Sequence, residues 1–328
     1  MGKIMKKIVI ALLIITGILI WDVTRESGDT IIIYSSAEQF RNDEMQRQLN
    51  EEFPDQNIYV MYMPTAKSAA KIGAEGEDTD ADIVMAMETA YLEKIKDNLD
   101  PVEDLSTLDY LDDMHAPDGK YVIWERQAGS IVVNKTVLEK YNLPVPETYE
   151  DLLKPEYKNL IAMPDPKSSG TGYFFYKGLV NQWGEEKALE YFDRLAENVK
   201  QFTESGSGPI KLLKQQEVAV GLALTFQGVN ELNDGNDFQI IQPEFGSPYS
   251  LTGTALIKGK KEDPEVREVF EFLIHDFMVY DKEFFSPEKV LKEQENRIEN
   301  YPEDIRYADM TGIEDIQEKE RLLSLWRY

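Results

Sequence analysis

The sequence predicts an α/β protein, because short apolar strands alternate with amphipathic helices from residue 30 onward. Three runs have the length and composition of buried strands: TIIIY (30–34), IYVMYM (58–63) and ADIVM (81–85). Between the first two, apolar residues recur at helical spacing from Phe40 to Phe53, and Pro54 ends the pattern. A second helix is predicted over 66–74. The order β-α-β-α-β favours a parallel sheet.

The alternation continues along the rest of the chain. Extended segments are predicted at both ends of 121–134, at 160–163, at 218–226 and at 239–242, and helices at 136–141, 149–153, 173–183 and 185–201. Asp263 and Pro264 predict a helix running to about residue 280, since Asp is a good N-cap and Pro suits the first helical position. The tail, 287–328, is predicted to form helices around an acidic loop.

Composition excludes several classes of protein. The chain has 328 residues, which predicts about two domains. It has no cysteine, so a disulfide framework, a zinc–thiolate site, a cysteine nucleophile and an iron–sulfur cluster are excluded. The net charge of −26 argues against nucleic-acid binding, which needs clustered Lys and Arg.

The N-terminus predicts an extracytoplasmic protein, at the cell surface or in a periplasm. Lys3, Lys6 and Lys7 precede an apolar run at 8–21 (IVIALLIITGILIW), which has the length of a signal-peptide core. The residues after Trp21 make a poor cleavage site, and the chain has no cysteine to carry a lipid. Residues 1–29 are therefore predicted to be either a cleaved signal or an uncleaved membrane anchor followed by a linker.

Hydroxyl-rich loops follow several predicted strands. The strongest is PDPKSSGTG (164–172), where a strand leads into a helix whose free backbone N–H groups and dipole suit a phosphate or carboxylate. An ordinary N-cap would use the same residues, and the P-loop signature is missing. Similar loops lie at 35–36, 65–68 and 203–209. Since ligands bind at strand ends in open α/β sheets, one shared cleft is predicted.

Residues suited to catalysis are few. His115 and His275 are the two histidines, and they are predicted to lie on the surface and on a helix face. With no cysteine and no well-placed histidine, nucleophilic triads have little support. The sequence therefore predicts a binding protein rather than an enzyme, with no cofactor and no bound metal. A carboxylate-dependent hydrolase stays open as an alternative of another class.

Four segments together resemble the extracellular solute-binding proteins of ABC transporters, in the branch that binds ferric iron, phosphonates and phosphorylated compounds. They are IIIYSSAEQF (31–40), DGKYVIWERQAGSIVVNKTVL (118–138), PETYEDLLKPEYKNLIAMPDPKSSGTG (146–172) and SLTGTALIKGKKEDPEVREVFEFL (250–273). The third is the most specific, and the resemblance covers about 30–325. It implies a type II periplasmic-binding-protein fold, with two α/β lobes joined by two crossover strands and a ligand cleft between them.

On this resemblance, lobe one comprises 30–124 plus 246–328 and lobe two comprises 125–245. The crossovers fall near 124–128 and 244–249. The resemblance implies ligand contacts from the first strand end, the loop after strand two, the Ser-Gly-Thr loop and the second crossover, and position adds weaker candidates. The full set is Ser35, Ser36, Thr65, Lys67, Ser68, Trp124, Arg126, Ser169, Gly170, Thr171, Ser205, Gly206, Gln227 and Tyr249.

The ligand is predicted to be a small anion: a phosphonate, a phosphate ester or a carboxylate. Ferric-binding relatives use adjacent tyrosines near the second crossover, whereas Tyr249 stands alone here. Arg126 and Lys67 are candidate charge partners for an anion. A polyamine would instead need carboxylates and aromatic rings, for which Glu125 and Trp124 are the candidates.

The predicted function is the extracytoplasmic substrate-binding component of an ABC importer, which closes on its ligand by hinge bending. Its partners would be the small ligand and a membrane permease, with no nucleic acid, and the protein is predicted to be a monomer. A ligand-sensing receptor of the same fold, coupled to a membrane kinase, is the main alternative.

Overall fold

A computed structural model describes residues 30–328. The signal or anchor predicted over 1–29 lies outside the described residues. Across 30–328, no helix is long and apolar enough to cross a membrane.

The described chain forms a curled nine-stranded mixed sheet with helices packed on it. The strands are β1 (Ile31–Ser35), β2 (Ile58–Tyr62), β3 (Ile83–Glu88), β4 (Val122–Asn134), β5 (Ile161–Pro164), β6 (Val199–Thr203), β7 (Val220–Leu224), β8 (Phe238–Ile241) and β9 (Tyr249–Leu256). Their spatial order is β2-β1-β3-β9-β4-β7-β5-β6, and β8 pairs with β4.

The α-helices connect these strands in the order expected of an α/β protein. They are α1 (Gln39–Glu52), α2 (Thr65–Glu75), α3 (Thr89–Ile95), α4 (Lys135–Tyr141), α5 (Gly170–Trp183), α6 (Glu185–Leu195), α7 (Gly208–Lys214), α8 (Thr225–Asn233), α9 (Pro264–Phe272), α10 (Met278–Phe284) and α11 (Ile316–Leu325). A π-helical turn, Leu273–Phe277, joins α9 to α10.

The parallel arrangement predicted for the N-terminal third is confirmed. β1 pairs in parallel with both β2 and β3, and α1 and α2 make the crossovers. Every residue of β3 is buried, which explains why its sequence is a continuous apolar run rather than an alternating one.

The long strand β4 connects the two halves of the sheet. Its first half pairs antiparallel with β9, from Val122 opposite Thr254 to Ala128 opposite Tyr249, and its second half pairs with β7 and β8. The sequence predicted two extended stretches around Glu125–Gly129, and the structure has one unbroken strand there. β4 and β9 are therefore the strands that cross between the two lobes of the type II fold.

Two main apolar cores lie on either side of this crossing. The first is built from strands β1–β3, the start of β4 and the segment from Ala255 to Leu291. The second is built from 131–229 and from the tail, where Tyr301, Leu322 and Trp326 are buried. The tail therefore packs on the second core, although the sequence assigned all of 246–328 to lobe one. The lobe boundaries themselves remain a prediction.

Other differences concern the ends of elements. The helix predicted over 185–201 ends at Leu195, because the chain then enters β6, which pairs in parallel with β5. The helix starting at Pro264 is capped by Asp263 as predicted, with its side chain accepting from the N–H groups of Glu265 and Val266. The tail contains one α-helix, α11, after a long irregular segment.

Candidate functional site

A cavity of about 480 Å³ opens where the ends of strands and the starts of helices from both halves of the molecule meet. This is the size of small-molecule binding sites in proteins. Its walls come from the ends of β1, β2 and β3, the crossing strands β4 and β9, the loops before α5 and α7, and α11. The polar residues lining it are Ser36, Glu38, Gln39, Thr65, Glu88, Gln127, Lys167, Ser168, Ser169, Thr171, Glu204, Ser205, Ser207, Gln227, Ser250, Thr252 and Lys319, together with the tyrosines Tyr62 and Tyr91.

Several helices begin at this cavity without a side-chain cap. The starts of α1, α2, α5 and α8 line it, and none of the four has a side chain bonded to its first N–H groups. Of the other helices, α4, α9 and α11 are capped by Asn134, Asp263 and Asp315, whereas α6 begins away from the cavity without such a cap. The cavity is thus lined by N–H donors and the positive ends of helix dipoles, a setting that suits anionic groups.

The charged groups of the cavity include a buried ion pair. Lys319 on α11 donates to the carboxylate of Glu88 at the end of β3, and both side chains are almost fully buried. Glu38 also lines the cavity, and burial raises the pKa of its carboxyl group, although the nearby Arg41 charge opposes that shift. The remaining charges, Lys167 and Glu204, lie on exposed side chains.

One hydroxyl in the wall has no partner in the described part of the chain. Thr252 on β9 is only 4% exposed, and its Oγ1 makes no hydrogen bond there. A buried unpaired hydroxyl costs free energy, and in native proteins such a group generally has a specific reason. Because Thr252 lines the cavity, a ligand atom is a chemically suitable partner.

The structure brings together most of the predicted site residues. Eight predicted contacts line the cavity: Ser36, Thr65, Ser169, Gly170, Thr171, Ser205, Gly206 and Gln227. They come from separate loops and helix starts, as the prediction of one shared cleft required. Their role in binding remains a prediction.

The structure places three other predicted residues away from the cavity, because they lie on the opposite face of the crossing strands. Trp124 stacks on Phe277 in the first core, with ring centroids 5.8 Å apart. The Arg126 guanidinium lies 4.9 Å from the Tyr249 ring centroid and pairs with Asp113 at 2.9 Å. Since strand side chains alternate between faces, the neighbours that line the cavity are instead Gln127, Ser250 and Thr252.

The remaining three predicted residues are also outside the cavity. The Ser35 hydroxyl is buried and donates to Oδ1 of Asn42 at 2.6 Å. Ser68 faces into the protein from the first turn of α2, whereas Lys67 is exposed outside the lining. Glu125, a candidate contact for a polyamine, is fully buried and bonded to Arg41 at 2.8 Å. None of these four side chains is positioned to meet a ligand in the cavity.

Sequence reasoning missed the charged pair and the correct face of the crossing strands. Glu88 is the last residue of β3, and Ser36 directly follows β1, so the position of Glu88 at a strand end was a usable signal. Lys319 gave no local signal, because only the packing of α11 brings it to the cavity. Alternation along β4 would have grouped Glu125 with Gln127, but the sequence did not reveal which face points to the cleft.

The histidines lie where the sequence predicted, and neither lines the cavity. His115 is exposed, and His275 on the π-helical turn accepts from the N–H of Thr107 at 3.2 Å. Within residues 30–328, no group of three His, Asp or Glu side chains is arranged to hold a metal ion.

Two α/β halves, joined by the crossing strands β4 and β9 around a polar cavity, define the class of type II periplasmic binding proteins. Residues 80–301 match the family of bacterial extracellular solute-binding proteins, and the chain belongs to that family. Solute-binding proteins of this kind serve ABC transporters.

Two solved structures share the fold, and one further relative is similar in sequence over part of its length. The periplasmic binding protein AfuA from Actinobacillus pleuropneumoniae, with fructose-6-phosphate bound, has a TM-score of 0.75 at 21% identity, covering 90% of this chain and 97% of that one. Apo ferric-ion-binding protein A from Pasteurella haemolytica has a TM-score of 0.74 at 15% identity, covering 91% and 96%. An uncharacterized Haemophilus influenzae protein is 31% identical over 130 residues, a match that spans 39% of this chain and 38% of that relative.

Proposed function

We propose that this protein is the extracytoplasmic substrate-binding component of an ABC importer and that its ligand is a small organic anion. A phosphate ester, a phosphonate or a carboxylate would meet the same set of donors. The observation that carries the proposal is the group of uncapped helix starts at the cavity, with the hydroxyls of Ser169, Thr171 and Ser205 beside them. The fructose-6-phosphate bound to AfuA is a ligand of this chemical kind.

The acidic side chains of the cavity do not require a cationic ligand. Glu88 already has Lys319 as its counter-ion. Glu38 accepts hydrogen bonds from Nη1 of Arg41 at 3.0 Å and from Nε2 of Gln227 at 3.3 Å, so its charge also has a partner within the protein. The amide groups of Gln127 and Gln227 can donate a hydrogen bond to a ligand hydroxyl or accept one from it. The cavity therefore suits a ligand with an anionic end and a hydroxylated end.

A thermal-shift screen tests the ligand class. The panel contains sugar phosphates, phosphonates, dicarboxylates, ferric citrate and polyamines, each titrated against the purified protein. A ligand that binds the folded state raises the melting temperature with concentration. We expect the shift with phosphorylated or phosphonate compounds. A shift with polyamines or ferric citrate alone would contradict the anionic assignment, and turnover of any panel member would favour the hydrolase alternative.

Hinge closure is the mechanism we propose for capture, since β4 and β9 are the strands that cross between the lobes. X-ray scattering with and without the ligand identified by the screen measures it. We expect a smaller radius of gyration in the bound protein. An unchanged radius at saturation would exclude hinge closure. Binding partners recovered by cross-linking in membranes then separate transport from signalling, because a permease supports the first and a kinase the second.

A further inference from the structure

The buried pair of Glu88 and Lys319 joins parts of the molecule that are far apart in the sequence. Glu88 ends β3 beside the first core, whereas Lys319 belongs to α11, whose Leu322 and Trp326 are buried in the second core. The side chains are 8% and 3% exposed, and both line the cavity. The pair therefore lies across the cleft, in contact with the space that a ligand would occupy.

Glu88 also occupies a position that suits an anion. A Cβ atom added to Gly170 would lie only 2.8 Å from Oε2 of Glu88, so the carboxylate sits against the first turn of α5. No side chain caps that helix. A negative group at this place gains from the helix dipole and from the Lys319 charge together.

Lys319 is held for interaction with an oxygen anion. Its Nζ lies 4.8 Å from the ring centroid of Tyr91 and 4.6 Å from that of Tyr173. Aromatic faces on two sides fix the ammonium group and leave few directions for other partners. Lys167, the other cation of the lining, is exposed. Of the two cations predicted from the sequence, Arg126 pairs with Asp113 outside the cavity and Lys67 is exposed outside the lining.

We propose that Lys319 is the residue that pairs with the anionic group of the ligand and that Glu88 is an internal counter-ion which the ligand displaces. This inference rests on the proposed function. The carboxylate of Glu88 occupies the anion position when the cleft holds no ligand, and an incoming phosphate or carboxylate takes its place beside Lys319 and α5. Glu88 then competes with the ligand for Lys319 and lowers the apparent affinity of the protein for that ligand.

The test compares two substitutions whose effects should have opposite signs. Fructose 6-phosphate and inorganic phosphate are the probes, and calorimetry measures their affinity. Lys319→Met should weaken binding by about tenfold or more, since a hydrogen bond to a charged group is lost. Glu88→Gln should tighten binding, because the competing charge is removed while the amide keeps the side-chain shape. In the double variant, the gain from Glu88→Gln should vanish.

Matched controls separate this role from a structural one. Lys94 and Glu320 form an exposed ion pair at 2.7 Å between α3 and α11, so Lys94→Met removes a neighbouring pair that also involves α11 and should leave affinity unchanged. Should Glu88→Gln fail to fold, Glu88→Asp and Lys319→Arg test the same point. We expect slightly tighter binding in Glu88→Asp and retained binding in Lys319→Arg.

The outcomes distinguish the inference from the proposed function. If the wild type binds a probe and both substitutions weaken it, the pair is only a structural bridge and the inference fails while the function stands. Unchanged affinity in Lys319→Met would overturn the inference in the same way. If the wild type binds neither probe, the inference is overturned, and the thermal-shift screen then decides the ligand class.

Discussion

Arg41 binds Asp281 through two parallel hydrogen bonds, from Nε to Oδ1 at 2.8 Å and from Nη2 to Oδ2 at 2.7 Å. The same guanidinium bonds Glu125 on β4 at 2.8 Å, and all three side chains are fully buried. One cation thus connects α1, the crossing strand and α10. Residues that lie 240 positions apart in the chain depend on each other for their charge balance.

We expect Arg41→Met to be among the most damaging single substitutions. It leaves the fully buried carboxylates of Glu125 and Asp281 with Lys282 as the remaining cation, and it removes the partner of Glu38 as well. Breaking a buried pair of this kind costs about 3–5 kcal/mol. Urea unfolding at neutral pH measures the loss. The control is Arg47→Met on the same helix, whose pairs with Glu44 and Glu51 are exposed to solvent, so this variant should lose far less stability. Equal losses in the two variants would contradict the prediction.

The loss of stability caused by Arg41→Met should depend on pH. Burial acts to raise the pKa of Asp281 and Glu125, but the charges of Arg41 and Lys282 outweigh it and hold both values below 3.8 and 4.5. A carboxyl group whose pKa is lower in the folded state stabilises the fold fully at a pH above its pKa in the unfolded state. That contribution is lost as the pH falls toward and through its pKa in the folded state. The difference in unfolding free energy between wild type and Arg41→Met should therefore shrink below about pH 4. A difference that is constant with pH would refute this.

Removing the hydroxyls at the start of α5 should weaken anion binding. The double variant Ser169→Ala, Thr171→Ala loses donors that line the cavity, at about 1–3 kcal/mol for hydrogen bonds to a charged group. Calorimetry with the ligand found in the screen measures the change. Thr136→Ala removes an exposed hydroxyl from α4 and should leave affinity unchanged. Wild-type affinity in the double variant would remove this loop from the site.

Thr252→Val should change stability and affinity in opposite directions. Valine has the same shape and lacks the hydroxyl that has no partner among the described residues, so the free protein should become more stable by about 1 kcal/mol. The ligand loses a hydrogen-bond partner, so affinity should fall. The control is Thr254→Val on the same strand, whose Oγ1 donates to Sδ of Met85 at 3.0 Å. It should leave affinity unchanged, and a lower melting temperature without an affinity change in Thr252→Val would contradict our interpretation.

Gly172→Ala should destabilise the protein and disturb the anion loop. An added Cβ would lie 2.4 Å from the carbonyl oxygen of Pro164 and 2.7 Å from backbone atoms of Asp165 and Pro166. Backbone cannot move aside cheaply, so we expect a loss of about 1–3 kcal/mol in urea unfolding. Gly73→Ala in α2 is the matched control. Its Cβ would lie 3.9 Å from Ile95, and helix propensity favours Ala by up to about 1 kcal/mol.

Local patterns in the sequence were sufficient for most of the fold. The strands β1, β2 and β3 are short apolar runs bounded by helical patterns, and such runs are recognised without tertiary information. The C-terminal end of 185–201 was harder, because Val199–Thr203 becomes a strand only through its pairing with β5. Residues 298–326 pack on the second core because of long-range contacts that no local period reports.

The residues of the candidate site also fall into those that local sequence predicts and those that depend on tertiary packing. Ser36, Thr65, Ser169 and Ser205 lie on loops between strand and helix, where the position of a loop already implies the edge of the sheet. For residues on the crossing strands, the prediction also requires knowing which face of the strand points to the cleft. Because side chains alternate between faces, an error of one residue selects a side chain on the wrong face. Lys319 reaches the cavity only because a helix at the end of the chain packs across both halves.

The pairing of β4 with β9 has a mechanical consequence. Two antiparallel strands paired from Val122–Thr254 to Ala128–Tyr249, with one irregularity between Ile123 and Glu125, resist sliding past each other, since sliding would break the hydrogen bonds between them. Bending out of the plane of the ribbon keeps those bonds. We therefore expect the two-stranded connection to act as a hinge that bends easily in one direction only, so that the lobes rotate about a single axis and do not slide past each other. Gln127 and Thr252 line the cavity from these two strands, so a ligand that binds both would contact the hinge directly and change how far it bends.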